Sequence, residues 1–131
     1  MKTDTQSLNK IRKIFKDRWD IDLHWYSDIY SRTDGFFTWN DKDYEVEVKC
    51  RRCKSDTYPT IIINKDKYDV LKNGGILICL YDDKWGVCKD VKKALLKYTA
   101  IYCNHCTDFP SNPEWGMKAE LDINEFNWYE Y

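Results

Sequence analysis

Residues 34 to 52, DGFFTWNDKDYEVEVKCRR, bring carboxylates and a lysine together at a spacing suited to holding a metal and a water. From Tyr44 to Arg51 the alternation is strict. Tyr44, Val46, Val48 and Cys50 share one side of a strand; Glu45, Glu47, Lys49 and Arg51 share the other. The first side is expected in a core. The second lies within reach of Asp34 if residues 34 to 40 and 43 to 52 pair as a hairpin over a polar turn. A divalent cation takes hard oxygen ligands, so Asp34, Glu47 and the Val48 carbonyl could hold Mg²⁺ or Mn²⁺ and leave positions for water and a phosphate. Lys49 beside them could orient or deprotonate the water and offset charge in the transition state. Glu45 and Arg51 share that face as candidate assistants. A solvated, salt-bridged hairpin accounts for the same spacing, because Glu-x-Lys is common by chance.

Asp34-Gly35 followed by an apolar strand with Glu47-Val48-Lys49 and Cys50-Arg51-Arg52 resembles the PD-(D/E)XK nuclease superfamily. The likeness runs over roughly residues 5 to 100, and only Asp34, Glu47 and Lys49 are specific to the motif. It implies an α/β fold, a mixed central sheet flanked by helices in a restriction-endonuclease-like core. It also implies hydrolysis of DNA phosphodiesters with Mg²⁺ or Mn²⁺. Asp34 and Glu47 would bind the metal with the Val48 carbonyl, and Lys49 would serve the water. Arg51, Arg52, Lys54 and Tyr58, on or just after the strand, are candidates for contacts to the nucleic-acid backbone. DNA is the expected partner; RNA stays open, as does a homodimer that cuts both strands. The chain departs from the pattern twice. Thr33 stands where the name-giving proline often sits, and the first helix carries no glutamate, Gln6 and Asp17 being its nearest substitutes.

The flanking elements read as an α/β order. Ser7 can cap a helix to about Trp19 with Leu8, Ile11, Ile14 and Phe15 on one face. Residues 22 to 31 read as a first strand and 53 to 64 as a polar loop. Residues 65 to 72 read as a helix closed by Asn73-Gly74-Gly75. Residues 76 to 81 and 85 to 89 read as a hairpin, and 90 to 100 as a further helix with Val91, Leu95 and Leu96 inward. The stretch from 101 to 131 gives no clear pattern. The chain of 131 residues is expected to form one domain, and an apolar share of 43% is enough to build its core. No apolar run approaches the roughly 18 residues of a membrane span. The polar start MKTDTQSLNK is not that of a secretory leader, so a cytoplasmic protein is expected.

Net charge is −1, which by itself does not favour nucleic acid, but the charge is uneven. From 108 onward six acids face Lys118 alone, so the body of the chain is basic. Six cysteines suggest a second chemistry. Cys50 and Cys53, with Cys103 and Cys106, form two C-x-x-C pairs that could clip zinc, His105 being a spare ligand. Cys50 is also expected in the core by alternation, and buried thiols are usually packing residues. Cys79 and Cys88 are equally spaced about one turn and read as cross-strand neighbours. His24 and His105 stand in no spacing that makes either a general base. Two other functions therefore remain beside the nuclease: an inactive nuclease-fold module binding nucleic acid or protein, and a zinc-stapled interaction protein.

Overall fold

The computed structural model describes residues 5–28, 30–103 and 114–131. The chain is α/β with a mixed sheet. A helix α1, Thr5–Trp19, precedes strands β1 (His24–Trp25), β2 (Gly35–Trp39), β3 (Lys42–Cys50) and β4 (Thr60–Asn64). Then come α2 (Lys65–Leu71), β5 (Ile76–Leu80), β6 (Lys84–Cys88), the single-turn α3 (Val91–Ala94), β7 (Leu95–Cys103), β8 (Glu114–Asp122) and β9 (Asn127–Glu130). Six strands form one sheet in the order β1-β2-β3-β5-β6-β9, and β4-β8-β7 form another. Within the larger sheet β3 and β5 run parallel, and the other neighbours are antiparallel.

Asn40 and Asp41, at φ 50° and 63°, make the two-residue turn of the β2–β3 hairpin. Paired positive φ values give the turn a twist that matches its strands, and a two-residue turn permits one register. Trp39 thus faces Lys42 and Gly35 faces Val46. Gly35 is needed for closeness: a Cβ there would sit 2.2 Å from the His24 carbonyl oxygen of β1. Gly74, at φ 100°, closes α2 as the sequence suggests.

Two apolar layers sandwich the larger sheet. Ile11 and Phe15 of α1 pack with Val46, Val48, Ile76, Ile78 and Trp85 on one face. On the other, Leu77 and Cys79 meet Tyr68 and Leu71 of α2, Val91 and Ala94 of α3, and Ile61, Ile63, Ala119 and Leu121 of the second sheet. Every residue of β5 is buried, as its unbroken apolar run requires of a strand covered on both faces.

Several expectations are corrected. Of the described residues from 22 to 31, only His24 and Trp25 are strand. Residues 60 to 64, read as loop, are β4, paired with β8. The helix expected over 90 to 100 stops at Ala94 and Leu95 turns extended, because Tyr98, Thr99, Ile101 and Tyr102 are aromatic or β-branched and pair along β8. Ser7 lies inside the first turn of α1 rather than capping it. Cys79 faces Gly86 and Cys88 faces Leu77, so the two thiols are diagonal neighbours in one core, not an opposed pair. Cys50, placed inward by alternation, is exposed at the end of β3.

Candidate active site

Because Val46 and Val48 point to α1, Glu47 and Lys49 must point to the opposite layer, toward α2 and the second sheet. Asp34 is brought to them by the backbone. Its N–H donates to Val46 O at 3.0 Å, its carbonyl accepts from Tyr26 N–H at 2.9 Å, and its Oδ2 accepts from Val48 N–H at 2.7 Å. Past Gly35 the β2 strand leaves this edge of β3, and the Asp34 carboxylate continues the ladder in its place. A strand residue aims its N–H and C=O to the same edge, so the Val48 carbonyl lies on the Asp34 side. The hairpin thus brings together Asp34, Glu47, the Val48 carbonyl and Lys49.

The electrostatics of that cluster are unusual. Burial raises the Glu47 carboxyl from an ordinary 4.5 to about 7, and the negative charge of Asp34 adds to the rise; Lys67 and Lys49 oppose it. Glu47 Oε2 is buried and has no hydrogen-bond partner among the described residues, although Lys67 Nζ of α2 stands 3.6 Å away as an ion pair. Lys49 is lowered to about 8, chiefly by burial and next by the Arg51 charge, with Lys118 of β8 pushing the same way. A largely buried Glu47 with an unsatisfied oxygen, with Asp34 close enough to raise it, offers hard oxygen donors of the kind a divalent cation takes.

Thr33, the departure from the proline pattern, has a structural role. It is buried, and its hydroxyl donates to Glu45 Oε2 at 2.6 Å. The Tyr26 hydroxyl also donates to Glu45, at 3.0 Å. Glu45 therefore fastens the segment that presents Asp34 and does not join the metal cluster as an assistant. Gln6 and Asp17 lie on α1, whose buried residues pack on the opposite face of the sheet from Glu47, so neither replaces the missing helix acid.

The candidate backbone-contact residues divide. Arg51 Nη2 donates to Ile62 O of β4 at 3.3 Å, while Arg51 and Arg52 line a cavity of about 800 Å³ with Lys10 and Tyr131 beyond the end of β3. Lys54 and Tyr58 are exposed in the loop that follows and are not brought to Glu47 by any recorded contact. For zinc, Cys50 is exposed and Cys53 half-buried; the Cys103 side chain, His105 and Cys106 fall outside what the structure describes. Among the described residues no three His, Cys, Asp or Glu side chains gather as a metal cluster. His24 is exposed and stacks on Phe36.

Lys67 and Lys118 were not legible as site residues. Nothing in their local pattern signals it: Lys67 reaches Glu47 through α2, and Lys118 reaches the Lys49 neighbourhood through β8, where it also donates to Asn64. No helix among the described residues is long and apolar enough to cross a membrane. No family model, curated protein or solved structure matches the chain.

Proposed function

We propose that the chain is a Mg²⁺- or Mn²⁺-dependent nuclease that hydrolyses DNA phosphodiester bonds, with a restriction-endonuclease-like core. The observation that carries the reading is the Asp34–Glu47 pair in its desolvated pocket next to a lysine lowered to about 8. The order of elements gives partial support: a helix, a three-stranded meander and, after the interposed β4 of the second sheet, a helix and a strand parallel to β3, with the charged face of β3 in the middle. Apart from β4 it follows the order implied by the resemblance to PD-(D/E)XK nucleases.

Asp34, Glu47 and the Val48 carbonyl would hold the cation, which when bound supplies Lewis acidity toward the phosphate and its attacking water. Lys49 Nζ holds that water and, with a value of about 8, exists partly as the free amine that can take its proton near neutral pH. Val48 N–H fixes Asp34 Oδ2, so that carboxylate meets the cation in a set position. Arg51, at the end of the same strand, lies toward the cavity in which Arg52 and Lys10 offer positive charge to the flanking backbone.

The deciding experiment incubates the protein with plasmid, single-stranded and branched DNA in Mg²⁺, in Mn²⁺ and in EDTA, beside an Asp34→Asn control. Metal-dependent cleavage that is lost in the control supports the reading. Absence of cleavage on every substrate overturns it and leaves a non-catalytic binding module.

A further inference from the structure

Lys67 occupies a position that neither the motif nor the proposed water chemistry requires. It is the sixty-seventh residue, in α2, yet its ammonium lies 3.6 Å from the one buried carboxylate oxygen of the site that has no hydrogen-bond partner. The same Nζ donates to the Arg32 carbonyl, one loop from Asp34. Two contacts therefore hold it beside Glu47. Of the two acids of its own helix, Asp69 is already paired with Lys65 at 2.7 Å and Lys72 at 3.4 Å, and Asp66 is exposed. Lys67 also lines an open cavity of about 730 Å³ with Arg32, Asp66, Asp69, Val70 and Asn73, and its side chain is 34% exposed. The cavity gives the long, flexible stem somewhere to go, and Arg32 puts a second cation in its lining.

We propose that Lys67 is a placeholder cation: it neutralises Glu47 while the site lacks metal, yields Glu47 when a divalent cation binds, and turns with Arg32 to a phosphate of the substrate backbone. The inference rests on the metal-dependent reading above. Its physical basis is charge balance. A largely buried carboxylate with an unsatisfied oxygen and a second acid beside it favours a positive partner, and an ammonium and a divalent cation cannot both sit against Glu47 without repulsion. The displaced ammonium is then a mobile point charge beside the reacting phosphate, a role suited to lysine because it needs no fixed fork geometry.

The test uses Ca²⁺, a divalent cation that takes the same hard oxygen ligands, with calorimetry for binding and lysine side-chain NMR for the position of Lys67. The Lys67 signal is expected to move as Ca²⁺ saturates the protein and to reach the position it holds in metal-free Glu47→Gln, where the anchor is gone. A short DNA duplex in Ca²⁺ should then bind Lys67→Met more weakly, with a salt slope smaller by about 1. Binding heat with an unmoved Lys67 signal, or an unchanged salt slope in Lys67→Met, overturns this inference alone. No Ca²⁺ or Mg²⁺ binding to the wild-type protein overturns the metal-dependent reading and the inference with it.

Discussion

Glu47→Gln should make the metal-free protein more stable at neutral pH while removing the proposed metal site. In the fold the carboxyl titrates at about 7 against an ordinary 4.5, so the unfolded chain releases its proton first as pH rises. Stability therefore falls between about pH 4.5 and 7, and above that range the ionised Glu47 holds the full penalty. The difference corresponds to an upper bound of about 3 kcal/mol, at about 1.4 kcal/mol per pH unit. Relaxation and the lost pairing with Lys67 reduce it, so a gain of roughly 1–2 kcal/mol is expected at pH 7.5. Lys49 acts at the other end of the scale. Its value drops from 10.5 to about 8 on folding, so stability held low near pH 8 recovers as pH rises toward 10.5. The metal-free wild type should thus show a stability minimum between about pH 7 and 8, and Glu47→Gln should lose the descending limb and keep the ascending one. Urea denaturation in EDTA from pH 5 to 10 measures both limbs. A Gln variant no more stable than wild type at pH 7.5, with the descending limb intact, would refute the account of Glu47 as a desolvated, crowded carboxylate.

Three further outcomes follow from the same geometry. Asp34→Ala strips Val48 N–H of its acceptor and should cost about 1–2 kcal/mol in chemical denaturation, whereas Asp34→Asn keeps an acceptor oxygen and should cost less; calorimetry should find metal binding abolished in both. Lys49→Arg should retain metal binding and the fold but lose most cleavage, since a guanidinium stays protonated and is bulkier in a half-buried position; unchanged turnover would return Lys49 to the status of surface charge. Lys118→Met removes a charge that lowers Lys49, so the rising limb of the rate against pH, expected near 8, should move to higher pH; a limb that stays put would separate Lys118 from the site.

The hairpin was legible because its determinants are local. A period-two pattern from Tyr44 to Arg51, a turn that tolerates positive φ at Asn40 and Asp41, and a glycine beside Asp34 fix which side chains meet, and the register follows. The end of α2 at Gly74 and the β5–β6 hairpin were legible for the same reason. The second sheet was not. Thr60 to Asn64 is a short apolar run whose partner β8 lies far along the chain, so nothing nearby marks it as strand. Val91 to Leu95 keeps a helical spacing for one turn, and the residues beyond Leu95 become strand only because β8 is there to pair with them. At the candidate site, Asp34, Glu47 and Lys49 are singled out by spacing together with the family resemblance, while Lys67, Lys118 and the Thr33–Glu45–Tyr26 fastening depend on tertiary placement.

The second sheet explains why the charged face of β3 has perturbed chemistry at all. An isolated hairpin would leave Glu47 and Lys49 in water, where both keep ordinary values and their pairing contributes little. Ile61 and Ile63 of β4 and Ala119 and Leu121 of β8 instead close an apolar layer beside that face. Desolvation is the largest cause of both the rise of Glu47 and the fall of Lys49, and it acts in opposite directions on an acid and a base. The two groups are thereby drawn toward neutral pH from either side, the kind of perturbation that marks a candidate functional site. Strand β8, from the acidic C-terminal stretch, supplies part of that wall, and the one basic residue of the stretch, Lys118, acts on Lys49.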